Sequence, residues 1–294
     1  MAHDHSHMDG TTGSIRMAFF LNIVFTVIEI VGGFYTNSLA IISDAVHDLG
    51  DSLSLGLAWY LEKYSKRGKD QRYSYGYQRF SLVGALVNTI VLIIGSTLIL
   101  TEAIPRLIHP EHSNAKGMVI FAIVGVVVNG LAVLRLRQHK SMNARVVMWH
   151  MLEDVLGWVA VLGVGITLMF TDVHILDPLL SILITLYVLY NVVRNLKKTV
   201  GLFMQAVPED VDIEKFEDKM RGIAKVQSTH HTHVWSLDGE HHVLSTHVVV
   251  DEDTTNEEAV QIKCEIKAMT EAMDVEHITI EIERANEQCT MDES

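Results

Sequence analysis

Apolar runs of membrane-spanning length recur through the first two-thirds of the chain, at residues 17–35, 39–61, 80–103, 118–136, 146–170 and 175–193, and predict six helices. Beyond Pro208 the pattern changes. Ile213, Phe216, Met220 and Ile223 fall at helical spacing, as do Ile262, Ile266, Met269 and Met273, with Thr255 and Glu258 forming a capping box ahead of the second set. Between these helices, 230–237 and 242–251 read as strands joined through Asp238-Gly239. A third strand, HITIEIER at 277–284, turns Ile278, Ile280 and Ile282 inward and His277, Thr279, Glu281 and Glu283 outward. The order αββαβ predicts a small two-layer α+β domain of ferredoxin-like type, about 80 residues long, a size at which a partner subunit helps stability. The expected organisation is a leader at 1–15, a six-helix membrane domain at 16–205, the α+β domain at 206–285 and a tail at 286–294.

Composition supports a polytopic membrane protein: 294 residues, 49% hydrophobic and four prolines, with a mean hydropathy of +0.23. The net charge of −13 arises mainly from the last third of the chain. Basic residues mark alternate connectors: Lys63, Lys66, Arg67, Lys69, Arg72 and Arg79 between the second and third helices, Arg135, Arg137, Lys140 and Arg145 after the fourth, and Arg194, Lys197 and Lys198 after the sixth. The opposite connectors hold just Arg106 and Lys116, so both termini are expected in the cytoplasm. The N-terminal MAHDHSHMDGTTGS lacks the pattern of a cleavable signal peptide. Cys264 and Cys289 have no close-spaced partner, which gives no disulfide framework and no cysteine-based zinc motif.

Two of the apolar runs carry chemistry. SLAIISDAVHDLGDSLSLGLAW, at 38–59, holds Asp44, His47, Asp48 and Asp51 at membrane depth, a burden on the order of 10 kcal/mol on insertion scales. Asp44, His47 and Asp51 share one helical face, while Asp48 lies about 100° round. The fifth run repeats the four-residue His/Asp spacing with His150 and Asp154. Two such pairs offer four nitrogen and oxygen donors, enough to close a shell around one divalent cation. The bland alternatives are packing histidines, which do not explain the repetition, and a charge-paired cluster, which needs a Lys or Arg that neither run contains at that depth. Asp44 is a candidate for orienting His47, and Asp48 and Glu153 for lining a cavity or helix interface. Imidazole and carboxylate without thiolate point to Zn2+, with Cd2+, Co2+ or Ni2+ also possible, and away from copper(I), magnesium and calcium.

Seven motifs in register then carry a resemblance: SLAIISDAVHDLGDSLSL, YGYQR at 75–79, TEAIPRL at 101–107, HMLEDVLGWVAV at 150–161, LDP at 176–178, AVPEDVD at 206–212 and HTHVWSLDGEHHVLSTHVVV at 231–250. In these the chain resembles the cation diffusion facilitator family of metal exporters over nearly its whole length. The resemblance implies a transport site at His47, Asp51, His150 and Asp154, a homodimer, and exchange of metal for protons. It also implies a metal site in the dimer-forming cytoplasmic domain, with His230, His247, Glu281 and Glu283 in matching strand positions and His277 in the same histidine cluster. Asp70 is a weaker candidate for an interfacial site, since no histidine accompanies it, and Ser81 departs from an acidic residue common after the tyrosine-glycine motif. His3, His5 and His7 could collect metal weakly. A bacterial inner membrane is the expected location, with no nucleic-acid partner and no enzymatic activity. A membrane metal sensor without transport and a membrane-embedded metalloenzyme remain alternatives, the second weakened by the lack of an H-E-x-x-H motif and of a separate general base.

Overall fold

The computed structural model describes residues 8–65, 68–137, 142–287 and 289; His3, His5 and His7 lie outside them. Six long helices come first: α1 (Met8–Thr36), α2 (Leu39–Ser65), α3 (Phe80–Ile108), α4 (Ala115–Leu136), α5 (Met142–Phe170) and α6 (Leu176–Phe203). Then follow α7 (Ile213–Arg221), β1 (Val226–Ser236), β2 (His242–Val250), α8 (Asn256–Thr270) and β3 (Val275–Arg284). The chain divides into two compact units, one built on the long helices as far as Leu196, the other on Tyr64–Val83 together with the chain from Lys197 onward.

The helical unit is apolar outside and polar within. Val31, Leu98, Leu131, Leu156 and Leu183 are exposed, whereas Glu29, Asp44, Asp48, Asp154 and Thr185 are buried. Water would reverse that arrangement, and a lipid surround stabilises it. The protein is a multi-pass membrane protein. Among the described residues, Phe80–Ile108, Ala115–Arg135, Met151–Phe170 and Leu176–Phe203 are long and apolar enough to span, and Asn22–Thr36 is a shorter apolar stretch. The second of the six predicted runs differs because Asp44, Asp48 and Asp51 interrupt it.

Polar contacts fasten the helices where lipid supplies no hydrophobic drive between them. Ser43 Oγ and Thr185 Oγ1 are 2.7 Å apart, and Asn22 Nδ2 donates to Ser52 Oγ at 3.0 Å. The start of α2 is capped from a distance. Asp177, 1% exposed at the head of α6, accepts from Ser38 Oγ at 2.6 Å, Leu39 N at 2.8 Å and Ala40 N at 3.3 Å. Those N–H groups are orphan donors of a helix N-terminus, so the carboxylate both satisfies them and meets the positive end of the helix dipole.

An apolar cluster of Ala40, Ile41, Met118, Ala122, Trp158, Val161 and Leu168 joins α2, α4 and α5. Trp158 packs flat against Gly125, where a Cβ would lie 2.1 Å from the indole. Gly125→Ala is therefore expected to displace the buried ring and lower stability by about 1–3 kcal/mol, read as a lower melting temperature of the detergent-solubilised protein, while Gly130→Ala, which meets open space, leaves it unchanged.

The second unit has the predicted αββαβ order. Its sheet runs β1-β2-β3, with β1 antiparallel to β2 and β3 parallel to β2 through the α8 crossover. Phe216, Met220, Ile262 and Ile266 from the helices close over Leu244, Val248 and Val250. The Thr255 and Glu258 capping box forms as predicted. β1 begins earlier than the sequence suggests because it pairs along the whole of β2, Val226 opposite Val250. Glu283 corrects another expectation: it occupies the outward face but is 8% exposed, because the histidines of β1 and β2 cover it.

The β1–β2 turn is charge-locked. Asp238 Oδ1 accepts from Glu240 N and His241 N, and Oδ2 lies 2.7 Å from His241 Nδ1. The hydrogen bond to Asp238 holds the His241 imidazolium above the usual histidine range. A raised pKa means that the contribution is complete below the unfolded value of about 6.5 and disappears as pH rises through the folded one. Hydrogen exchange at 236–242 should accordingly speed up, beyond its intrinsic pH dependence, as pH rises above about 6.5, and His241→Ala should abolish the excess.

Candidate metal centre

Asp44 points across to α5, where an added Cβ on Gly157 would lie 3.6 Å from its Oδ1. The two helices run in opposite senses, since the start of α2 is bound to the start of α6, which the short segment after Phe170 joins to the end of α5. From the Asp44–Gly157 level, three residues along α2 reach His47 and three back along α5 reach Asp154. Seven in each direction reach Asp51 and residue 150. Antiparallel helices with equal rise thus bring the two His/Asp pairs to matching heights. The side chain of His150 lies outside the described residues.

His47 Nε2 is 3.7 Å from Asp51 Oδ2, both side chains being partly exposed at 25% and 29%. Two donors on one tetrahedral zinc stand about 3.3 Å apart, so a small rotation brings this pair to ligating distance. Asp154 is 6% exposed and its charge bears on Asp44 and Asp48. Glu29 of α1, 1% exposed, faces the same acids. The sequence reading passed over Glu29 because a single acid in an apolar run has no His partner at helical spacing, though its presence there was itself a signal. Glu153 is exposed instead. Among the described residues, no Lys or Arg is buried with these carboxylates. The interior is a cluster of acids and imidazole without a buried cation of the chain's own among the described residues.

A second cluster lies on the sheet of the other unit. One ligand atom from each of His230, His247, Glu283 and Cys289 falls within 4.8 Å of all the others. His230 and His247 are directly opposed across β1 and β2. His247 Nδ1 is 2.6 Å from Glu283 Oε1 and 3.9 Å from Cys289 Sγ, and His230 Nε2 is 3.3 Å from Glu283 Oε2. Glu281, more exposed, approaches His247 Nε2 at 3.5 Å. The register of β1 shifts between His230 and His233, and His231 takes a φ of +49°. That bulge defeats strand alternation, so three consecutive-strand imidazoles, His230, His231 and His247, meet with ring centroids 5.2–5.3 Å apart.

His277 is not part of this group. It lies six residues before Glu283 on β3, about 20 Å along a strand, and its ring meets Tyr75 edge-on at 5.3 Å. Asp70 organises its own turn, Oδ1 accepting from Arg72 N and Tyr73 N and Oδ2 from Tyr77 Oη at 2.7 Å. Cys289 escaped the sequence reading because the imidazoles it joins, His230 and His247, are 42 residues away or more in the chain.

Residues 15–204 match the family model of the cation efflux transmembrane domain, and residues 208–285 match that of the cytoplasmic domain of cation efflux proteins. The chain belongs to the cation efflux family, also called the cation diffusion facilitators. Among similar members is the metal cation efflux system protein CzcD of Cupriavidus metallidurans, 33% identical over 96% of this chain and 90% of that protein. The cadmium, cobalt and zinc/H(+)-K(+) antiporter of Bacillus subtilis is 32% identical over 95% of this chain and 91% of its own length. The zinc transporter ZitB of Escherichia coli is 34% identical over 85% and 83%. The family is one of cation transporters; the membrane cluster and, of the second cluster, His230, His247 and Glu283 fall within segments that its domain models match, while Cys289 lies just beyond.

Proposed function

We propose that this protein is a homodimeric efflux carrier that exchanges a divalent metal cation, Zn2+ foremost, for protons across a bacterial inner membrane, through six spanning helices and with both termini in the cytoplasm. The observation that carries this reading is the buried set of acids in the helical unit, Glu29, Asp44, Asp48 and Asp154, with no buried Lys or Arg among the described residues to balance it. Such a set is stable in a membrane when cations or protons neutralise it, and alternation between the two is transport.

In this mechanism His47, Asp51, His150 and Asp154 hold the metal, and Asp44 orients His47. Ligands bind metal in their deprotonated forms, so entry of the cation releases protons and protonation from the far side releases the cation. Histidine, with a reference pKa near 6.5, makes the exchange reversible near neutral pH. Two imidazoles with two carboxylates suit zinc, cadmium, cobalt or nickel better than magnesium or calcium. The names of the three relatives support the metal class, and the cytoplasmic family model, itself named for a dimer, supports the pairing of subunits.

His230, His247 and Glu283, with Glu281 at the margin, form a regulatory site that reads cytoplasmic metal, and Cys289 completes it. Cys289→Ser is expected to weaken zinc binding to this site by about 10-fold or more, since a thiolate is lost from a nitrogen and oxygen set; calorimetric titration of the purified protein checks it. The function as a whole is tested with everted membrane vesicles from cells producing the protein. Zinc uptake that a protonophore collapses supports the exchanger, while uptake equal to that of vesicles lacking the protein returns the sensor reading.

A further inference from the structure

Three connectors meet at the end of the helical unit opposite to the connectors rich in Lys and Arg: the α1–α2 turn at 36–38, the α3–α4 segment at 109–114 and the α5–α6 segment at 171–175. There His112 Nδ1 stands 2.8 Å from His174 Nε2, the two rings crossing edge to face with centroids 4.2 Å apart. We propose that His112 and His174 form a two-imidazole binding site for a late first-row divalent cation, separate from both clusters described above.

The main chain on either side of this pair is fixed to one turn. Asn37, held in a left-handed conformation with φ of +50°, donates from Nδ2 to the His112 carbonyl at 3.2 Å and to Glu111 Oε2 at 3.0 Å. Asn114 N donates to Thr36 O at 2.7 Å, Ser113 Oγ to Asn37 O at 3.2 Å, and Arg106 binds both Asn37 Oδ1 and Glu111. On the other side, His174 lies three residues before Asp177, whose carboxylate is bound to Ser38, Leu39 and Ala40 just after the same turn. Both rings are thus presented from backbone anchored at Thr36 to Ala40, which removes much of the ordering cost of gathering two ligands.

The other ring nitrogen of His174, Nδ1, is buried without a hydrogen-bond partner among the described residues. A tetrahedral cation with bonds of 2.0–2.1 Å needs its nitrogens about 3.3 Å apart, roughly 0.5 Å wider than they stand. His112 is exposed and can swing that far. Two imidazoles leave the remaining positions to water, so the cation is held loosely and exchanges quickly, as suits a stopping point for metal leaving the bundle. That role rests on the proposed transport direction; the site itself does not.

The test is histidine modification by diethyl pyrocarbonate, mapped by mass spectrometry on the purified full chain in nanodiscs, with and without zinc. Bound metal occupies the nitrogens that react. Zinc at ten times its Kd should slow modification of His112 and His174 by about tenfold, from mass action. The protection should persist in Asp51→Ala, which separates this site from the transport site, and His174→Gln should remove the protection of His112. An unchanged rate at His112 with zinc in both the parent and Asp51→Ala would leave these rings a hydrogen-bonded pair and overturn the proposal. So would protection of His112 that survives His174→Gln.

Discussion

Asp177→Ala is expected to destabilise the helical unit by about 3–5 kcal/mol. The substitution removes one acceptor that serves three buried donors, Ser38 Oγ, Leu39 N and Ala40 N, and each unsatisfied donor costs about 1–3 kcal/mol where water cannot replace the partner. It also takes a negative charge from the positive end of the α2 dipole. The consequence reaches beyond stability, since α2 carries His47 and Asp51 and its anchorage sets their height against α5. Thermal unfolding of the detergent-solubilised protein reads the effect. Asp177→Asn keeps one acceptor oxygen and should fall between parent and Ala, and equal melting temperatures for all three would show that the carboxylate carries none of the load.

Asp154→Ala should move two measurements in opposite directions. Zinc affinity of the membrane site is expected to fall by more than the 10–100-fold typical of losing an outer partner of a metal ligand, because the proposed site loses one of its four direct ligands. The metal-free protein should become more stable, since Asp154 adds to the repulsion among buried Asp44 and Asp48, and removing one of several like charges from a desolvated cluster relieves the rest. A residue kept for packing would instead lower the melting temperature on truncation. Titration with Co2+, followed by its visible absorption, and a melt without metal together separate the two roles.

Much of this architecture is legible in the chain because lipid and water impose different patterns. The apolar runs mark the long helices, and the change of pattern after Pro208 marks the α+β unit, whose capping box at Thr255 and Glu258 is a local signal with local consequences. The paired spacing of His47 with Asp51 and of His150 with Asp154 is also local, being one turn of helix each. What escapes is whatever depends on residues distant in the chain. Glu29 has meaning because α1 brings it to Asp48. Asp177 reads as part of a short motif, yet its work is to cap a helix that begins 138 residues earlier. Cys289 reaches His247 across 42 residues. His231 faces the other imidazoles through a bulge that strict alternation does not foresee, and Glu283, outward by alternation, is buried by that same histidine group.

The central claim is that metal crosses the membrane through the acid and imidazole set of α2 and α5 in exchange for protons. Zinc flux into proteoliposomes loaded with a metal-sensitive dye, with and without an opposing pH gradient, tests it most directly when the parent is compared with Asp51→Ala. The account predicts flux that the pH gradient accelerates in the parent and that is lost in Asp51→Ala. Undiminished flux in Asp51→Ala, or flux in the parent indifferent to the gradient, would contradict it.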